Sequence, residues 1–163
     1  MSAATGAASS HVGLFIATWG YVGYAPFAPG TFGSAAGLAV YVLLRQWPSA
    51  GLELAVIAGL FVIGVWSGNV AERVIGSTDP QPVVVDEVVG MLITLAFLPV
   101  TVSGAVVGFL VFRLFDVVKP WPSRRFESLH GGLGVMADDA MAAVYGNLVM
   151  RALALVLPAG WIV

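Results

Sequence analysis

Ten of the sixteen charged side chains in this 163-residue chain fall between Asp86 and Asp139. They gather in three clusters: Asp86-Glu87; Arg113, Asp116, Lys119, Arg124, Arg125 and Glu127; and Asp138-Asp139. A lone charge beside an apolar helix is usually a solvating end-group, and an acid in a first turn also favours the helix dipole. Here two carboxylate pairs open segments of small and apolar residues, and a chain so poor in charge has little reason to keep four acids there unless they bind something. A charge at a bilayer centre costs about 2.5–3.5 kcal/mol or more. Paired acids near cations suit a magnesium ion, which is held by one or two carboxylates plus phosphate oxygens of a substrate. Arg and Lys then take up the remaining phosphate charge, Arg through its two-pronged fork. Arg113, Asp116 and Lys119 follow at i, i+3 and i+6 and so neighbour one another on one helix face. Asp86, Gly90 and Thr94 share a face, as do Asp139, Ala143 and Asn147. Small residues at Gly90, Ala142, Ala143 and Gly146 allow those helices to approach closely. The corner at 29–34, Pro-Gly-Thr-Phe-Gly-Ser, opens a helix whose free N–H groups form a natural phosphate cradle.

Other chemistries fit less well. The absence of cysteine excludes disulfides, thiolate metal sites and cysteine nucleophiles. There is no Gly-x-x-x-x-Gly-Lys loop and no Gly-x-Ser-x-Gly elbow. His11 and His130 lack zinc spacing and read first as interface or loop residues, although His130 beside Gly131 is within reach of a substrate. A net charge of −2 gives no footprint for nucleic acid.

The elements that must position these groups follow from hydropathy. Of the residues, 59% are apolar and 10% charged, against roughly a quarter charged in an ordinary soluble domain. Residues 1–44, 54–71 and 88–112 are free of Asp, Glu, Lys and Arg. Runs of about 18 or more apolar residues are the mark of membrane-spanning helices. Breakers divide them. Trp47-Pro48-Ser49-Ala50-Gly51 separates helices expected over 32–46 and 52–75. Pro99 predicts a second hairpin, 86–98 then 102–118, in preference to one kinked span. Pro120 and Pro122 stop that helix. Residues 131–134 read as a flexible glycine loop, and a last helix covers 136–157. Residues 1–10 read as a mobile tail, 11–20 as a short helix, and 11–163 as one domain. The expected fold is all-α, a multi-pass helical membrane bundle of paired hairpins. Tracing both hairpins brings 29–34, 72–87, 113–125 and 138–139 to one face. That face carries Arg73, Arg113, Lys119, Arg124 and Arg125, which marks it as cytoplasmic. Half-helices of ~13 residues reach about 20 Å and do not easily cross a ~30 Å core.

Four stretches in order carry a family resemblance: residues 28–34, Ala-Pro-Gly-Thr-Phe-Gly-Ser; 85–91, Val-Asp-Glu-Val-Val-Gly-Met; 112–122, Phe-Arg-Leu-Phe-Asp-Val-Val-Lys-Pro-Trp-Pro; and 131–139, Gly-Gly-Leu-Gly-Val-Met-Ala-Asp-Asp. Together they resemble the phosphatidylglycerophosphatase A family, and the likeness runs from about His11 to Leu157. Val85 stands where the family commonly has Trp, and Ala143 where Gly is common. The resemblance implies a bacterial inner-membrane enzyme with its site on the cytoplasmic side. It implies magnesium-dependent hydrolysis of phosphatidylglycerophosphate to phosphatidylglycerol and inorganic phosphate. It further implies Asp86, Glu87, Asp138 and Asp139 as metal-site acids, Arg113, Asp116 and Lys119 in the same pocket, and Gly30, Thr31 and Ser34 against phosphate. In the mechanism this suggests, Lys119 and Arg113 offset charge on the phosphoryl oxygens and Asp86 or Asp116 is the general base, with an aspartyl-phosphate route as the rival. The alternatives are a phosphatase for another lipid phosphate and a non-catalytic membrane scaffold. Membrane lipids are expected partners, and the sequence leaves a monomer and a homo-oligomer both open.

Overall fold

The computed structural model describes residues 2–126 and 129–163, with side chains from residue 9 onward. Met1, which begins the expected tail, and Glu127, in the second charge cluster, lie outside the described residues. The described residues form helices and no strand: α1 (Ser2–Ala17), a 3-10 turn (Val22–Tyr24), α2 (Pro29–Leu44), α3 (Ala50–Ile75), α4 (Val85–Thr94), α5 (Val102–Val118), the short α6 (Ser123–Phe126) and α7 (Gly132–Val156). The fold is all-α, as expected.

Two of these helices, α3 with 26 residues and α7 with 25, are long and apolar enough to cross a membrane. At 1.5 Å per residue they reach about 38 Å. Their outward faces are apolar: Val62 on α3 is 67% exposed and Leu155 on α7 is 87% exposed. A surface of this kind is oily where a soluble bundle would carry a polar stripe.

The α4–α5 segment turns back at Pro99, as the proline predicts, but α4 stops at Thr94 rather than Leu98. Leu95 to Phe97 form a turn, with Phe97 at φ 59°. The first helix starts at Ser2, ahead of the expected start at His11. The glycine stretch 131–134 is not a flexible loop. Gly131, at φ 73°, precedes α7, and Gly132 to Gly134 are its first turn. Asp138 and Asp139 therefore sit in the second turn of α7, not at its opening, and the macrodipole acts on them less than the sequence reading supposes.

Buried Met91, Leu92, Leu95, Phe112, Ala143 and Met150 form the larger core cluster, so α4 is wrapped by α5 and α7. On its other side α4 lies against α2. A Cβ at Gly37 would stand 2.7 Å from the Val88 carbonyl oxygen and 2.8 Å from Met91 Cβ. Backbone and Cβ atoms cannot swing away as the far end of a long side chain can. Gly37→Ala should therefore destabilise the detergent-solubilised protein by about 1–3 kcal/mol. Gly59→Ala, on α3 with nothing within 4 Å of the added carbon, should instead stabilise it by about 0.5–1 kcal/mol through helix entropy. Thermal unfolding of the two variants in one detergent checks the sign of each.

Candidate active site

A cavity of about 230 Å³ opens at the end of the bundle where α4 and α7 begin. Six carboxylates line it, from Asp79, Asp86, Glu87, Asp116, Asp138 and Asp139, against two cations, Arg113 and Lys119. Ala28, Pro29 and Gly30 of the α2 corner close one side, and Asp79, Pro80, Gln81 and Val83 close another. Of the sequence candidates, Gly30, Asp86, Glu87, Arg113, Asp116, Lys119, Asp138 and Asp139 all meet here.

Asp86 and Glu87 lie in the first turn of α4, ahead of the buried Val88, Val89 and Met91. Asp139 reaches them from α7. One carboxylate oxygen from each of Asp86, Glu87 and Asp139 lies within 4.8 Å of the other two. Asp86 Oδ1, Glu87 Oε2 and Asp139 Oδ2 are buried with no hydrogen-bond partner. Buried polar atoms are almost always paired, so three unpaired acid oxygens in residues whose carboxylates converge are the test of what this donor set fits. α4, at ten residues, is no spanning helix. At its start, burial first and then the charges of Glu87 and Asp139 hold the Asp86 carboxyl well above its ordinary value of 3.8. Burial likewise raises Glu87, although a hydrogen bond with Asp86 and the charge of Arg113 work the other way. The donor set is three hard carboxylate oxygens from two helices, which fits a hard divalent cation such as magnesium.

Asp138 does not join the three. Its Oδ2 faces Lys119 Nζ at 2.5 Å, and its Oδ1 accepts the Asp139 N–H at 2.9 Å. Expected as a metal-site acid, it pairs with Lys119 in this structure. Neighbours on a helix point about 100° apart, and the α7 backbone turns Asp139 inward and Asp138 toward the end of α5. Ser123 Oγ donates to the Asp138 carbonyl oxygen at 2.8 Å, tying α6 to this point. Lys119 caps α5 with φ 44°, a conformation non-glycine residues seldom adopt. The ion pair with Asp138 holds it there.

Arg113 is the second cation. Its Nη1 lies 2.6 Å from Asp116 Oδ2 and 3.8 Å from Glu87 Oε1. Ser34, expected against phosphate, is fully buried. Its hydroxyl donates to the Gly30 carbonyl oxygen at 2.8 Å and accepts from Arg113 Nη1 at 3.4 Å. It positions the guanidinium from behind and does not line the cavity. Thr31 is also outside the lining, and its N–H is taken by the Ala28 carbonyl oxygen at 2.9 Å. The α2 corner therefore offers fewer free N–H donors than a cradle would. Gly30 has a steric role: a Cβ there would stand 2.9 Å from Arg113 Nη1 and collide with Glu87 Oε1. Any side chain there would push the ends of Glu87 and Arg113 away from this corner. His130 lies outside the lining. Sequence reasoning did not single out the strap Asp79-Pro80-Gln81, whose one signal is an Asp-Pro turn just ahead of Asp86.

Fold and site together describe a helical protein with a largely apolar exterior and an acidic, cation-edged pocket at one end of the bundle. The family model described as phosphatidylglycerophosphatase A matches residues 15–154. A "Phosphatidylglycerophosphatase A" of Escherichia coli is 39% identical over 124 residues, covering 75% of this chain and 72% of that one. One of the same name from Haemophilus influenzae is 37% identical over 128 residues, covering 77% and 78%. A Bacteroides thetaiotaomicron protein named "Putative phosphatidylinositol-3-phosphatase" is 38% identical over 135 residues, covering 78% and 84%. No solved structure matches. The chain belongs to the phosphatidylglycerophosphatase A family, and with it to the phosphoric monoester hydrolases.

A carboxyl whose folded pKa is raised binds its proton more tightly in the folded state, so its ionisation opposes folding. With chelator present, stability should be highest below the ordinary aspartate value of 3.8 and fall as pH rises through the raised value of Asp86. Asp86→Asn should flatten that fall and melt higher than the parent at neutral pH, by about 2–4 °C for each kcal/mol of repulsion removed. Melting curves in detergent with chelator, at several pH values, test it. A parent that grows steadily more stable toward neutral pH counts against three unpaired acids.

Proposed function

We propose that this chain is a multi-pass membrane enzyme that hydrolyses the terminal phosphate of phosphatidylglycerophosphate. On this reading magnesium is held by Asp86, Glu87 and Asp139, and the site faces the cytoplasm. The observation that carries the proposal is the meeting of three orphaned buried acid oxygens with Arg113 and Lys119 in one cavity, in a chain of this family. The membrane setting is supported by α3, α7 and their apolar exteriors. The cytoplasmic side is supported by Arg73, Arg113, Lys119, Arg124 and Arg125 toward the site end, against Arg45 and Arg151 toward the far turn.

Phosphoryl transfer asks a protein mainly for positioning and charge stabilisation. Magnesium, when bound, supplies Lewis-acid polarisation of the phosphoryl oxygens and lowers the pKa of a coordinated water. Lys119 and Arg113 take up the charge that spreads over the equatorial oxygens. Asp138 and Asp116 hold these two cations at the cavity edge. Of the two bases weighed from sequence, Asp116 has its Oδ2 engaged by Arg113 at 2.6 Å, which leaves Asp86, through the carboxylate oxygen not given to the ion, as the acceptor of the water proton. The apolar faces beside the cavity, including Trp121 at 73% exposed, suit the acyl chains of a substrate that stays in the lipid layer.

The name of the Bacteroides relative favours a second reading, a phosphatase for another lipid phosphate. Phosphate release by detergent-solubilised protein separates the two, using phosphatidylglycerophosphate, phosphatidylinositol 3-phosphate, phosphatidate and soluble glycerol phosphate. Release from the first alone, and only with magnesium, is expected. Asp139→Asn and Lys119→Met should each lower turnover by about 10²–10³-fold while remaining folded. Near-parental rates in both would remove these residues from the mechanism, and release from none of the four lipids and esters would return the scaffold reading.

A further inference from the structure

α4 and α7 start side by side and run in the same direction. At the site end Asp86 faces Asp139. Eight residues further along each helix, about 12 Å at 1.5 Å per residue, Thr94 ends α4 and Asn147 stands beside it. The two pairs are the same 53 positions apart in the sequence. A helix end leaves its last carbonyls without partners, and α4 ends inside the bundle. Asn147 answers this directly. Its side-chain amide nitrogen lies 3.1 Å from each of the carbonyl oxygens of Ile93, Thr94 and Ala96, which share its two hydrogens. Arg151, one turn on, donates from Nε to Asn147 Oδ1 at 2.8 Å and from Nη2 to the Ala96 carbonyl oxygen at 3.2 Å. The arginine thus fixes which way the amide of Asn147 points.

Other elements hold the turn that follows, but not to α7. Glu53 of α3 accepts the Phe97 N–H at 3.1 Å, and Tyr41 of α2 donates its hydroxyl to the Leu98 carbonyl oxygen and accepts the Val100 N–H. Between α4 and α7 the rest of the contact carries one long hydrogen bond, Thr94 Oγ1 donating to the Ala143 carbonyl oxygen at 3.5 Å; Ala142, Ala143 and Gly146 are small, and a Cβ on Gly146 would stand 3.0 Å from the Thr94 side chain. Small residues allow close approach but set little resistance to sliding. A one-residue slip moves a helix 1.5 Å along its axis and turns it by about 100°. That is enough to carry Asp86 and Glu87 out of reach of Asp139.

We propose that Asn147, steadied by Arg151, is a positioning residue that locks α4 and α7 in register, and so sets the separation of the acids at the other end of both helices. The inference rests on the acids forming a cation site, as proposed above. The two helices act as parallel rods clamped at one end, and their clamped ends decide how their free ends meet.

Mn²⁺ added alone to detergent-solubilised protein, with free ion counted by electron paramagnetic resonance, reads the cation site without any substrate. Asn147→Leu keeps the volume and removes the donors. It should bind Mn²⁺ about tenfold or more weakly and lower kcat for phosphate release by about a hundredfold, as a 1 Å misplacement does, with KM for the lipid little changed. Arg151→Met, altering an exposed side chain, should shift both in the same direction by less, and it decides the matter if Asn147→Leu does not fold. A folded Asn147→Leu protein with parental Mn²⁺ affinity overturns the clamp, as does one that loses only folded yield. Parental affinity in Arg151→Met overturns it too when that is the variant that folds. A parent protein that neither binds Mn²⁺ nor releases phosphate sinks the cation-site reading itself, which is a different result from a parent that does both and a variant that matches it.

Discussion

Three carboxylates crowded together out of water, with too few cations to balance them, are the condition the rest of this molecule is arranged around. Left to themselves they would protonate or drift apart, because burial and mutual repulsion both act against their ionised forms. They stay together because each is fixed to a helix that is itself fixed elsewhere. The core around Met91, Leu92 and Phe112 holds α4 in place, and α7 is packed beside it. What these helices gain in apolar contact offsets what the acids lose. Active sites commonly store instability in this way, drawing on a scaffold that is stable elsewhere.

The same condition explains why the chain breaks a helix inside the bundle. One continuous helix through residues 88–112 would place Asp86 and Asp116 at opposite ends. Turning back at Pro99 returns Arg113, Asp116 and Lys119 to the end from which Asp86 and Glu87 set out. The turn leaves backbone polar groups that water cannot reach, and these are met by side chains from α2, α3 and α7. Irregular backbone at depth is tolerated where protein satisfies it. Polar residues that look misplaced in oily helices, Tyr41, Glu53 and Asn147, are the donors and acceptors that make the turn affordable.

Much of this was legible in the sequence because it depends on punctuation and charge placement. Pro48 and Pro99 mark the turns, and the bunching of ten charges between Asp86 and Asp139 marks the pocket. The parts that were not legible depend on packing. Residues 131–134 look like a loop because three glycines in four disfavour helix, yet Gly132 is needed without a side chain where α7 meets the α3 backbone, since a Cβ there would collide with the Val65 carbonyl oxygen. Tertiary contact overrides propensity at that point. Ser34 looks like a phosphate ligand because it follows a Pro-Gly corner, but one helical turn beyond Gly30 carries it into the core, where it serves Arg113.

The two acid pairs teach the sharper lesson, because in sequence they look alike and in space they differ. Adjacent residues on a helix diverge by about 100°, so two neighbouring carboxylates reach one point only when the geometry compensates. In Asp86-Glu87 it does. The pair lies in a first turn, where the longer glutamate side chain has the reach to bring an oxygen within 4.8 Å of those of Asp86 and Asp139. In Asp138-Asp139 it does not, because both side chains are short and both lie a turn inside α7. One of them faces away, and the cation that meets it is Lys119, at the edge of the same cavity. The divergence that removes Asp138 from the three acids is therefore what places a positive charge beside them. An acid pair in an apolar helix can thus give one carboxylate to an acidic cluster and the other to a lysine from consecutive positions.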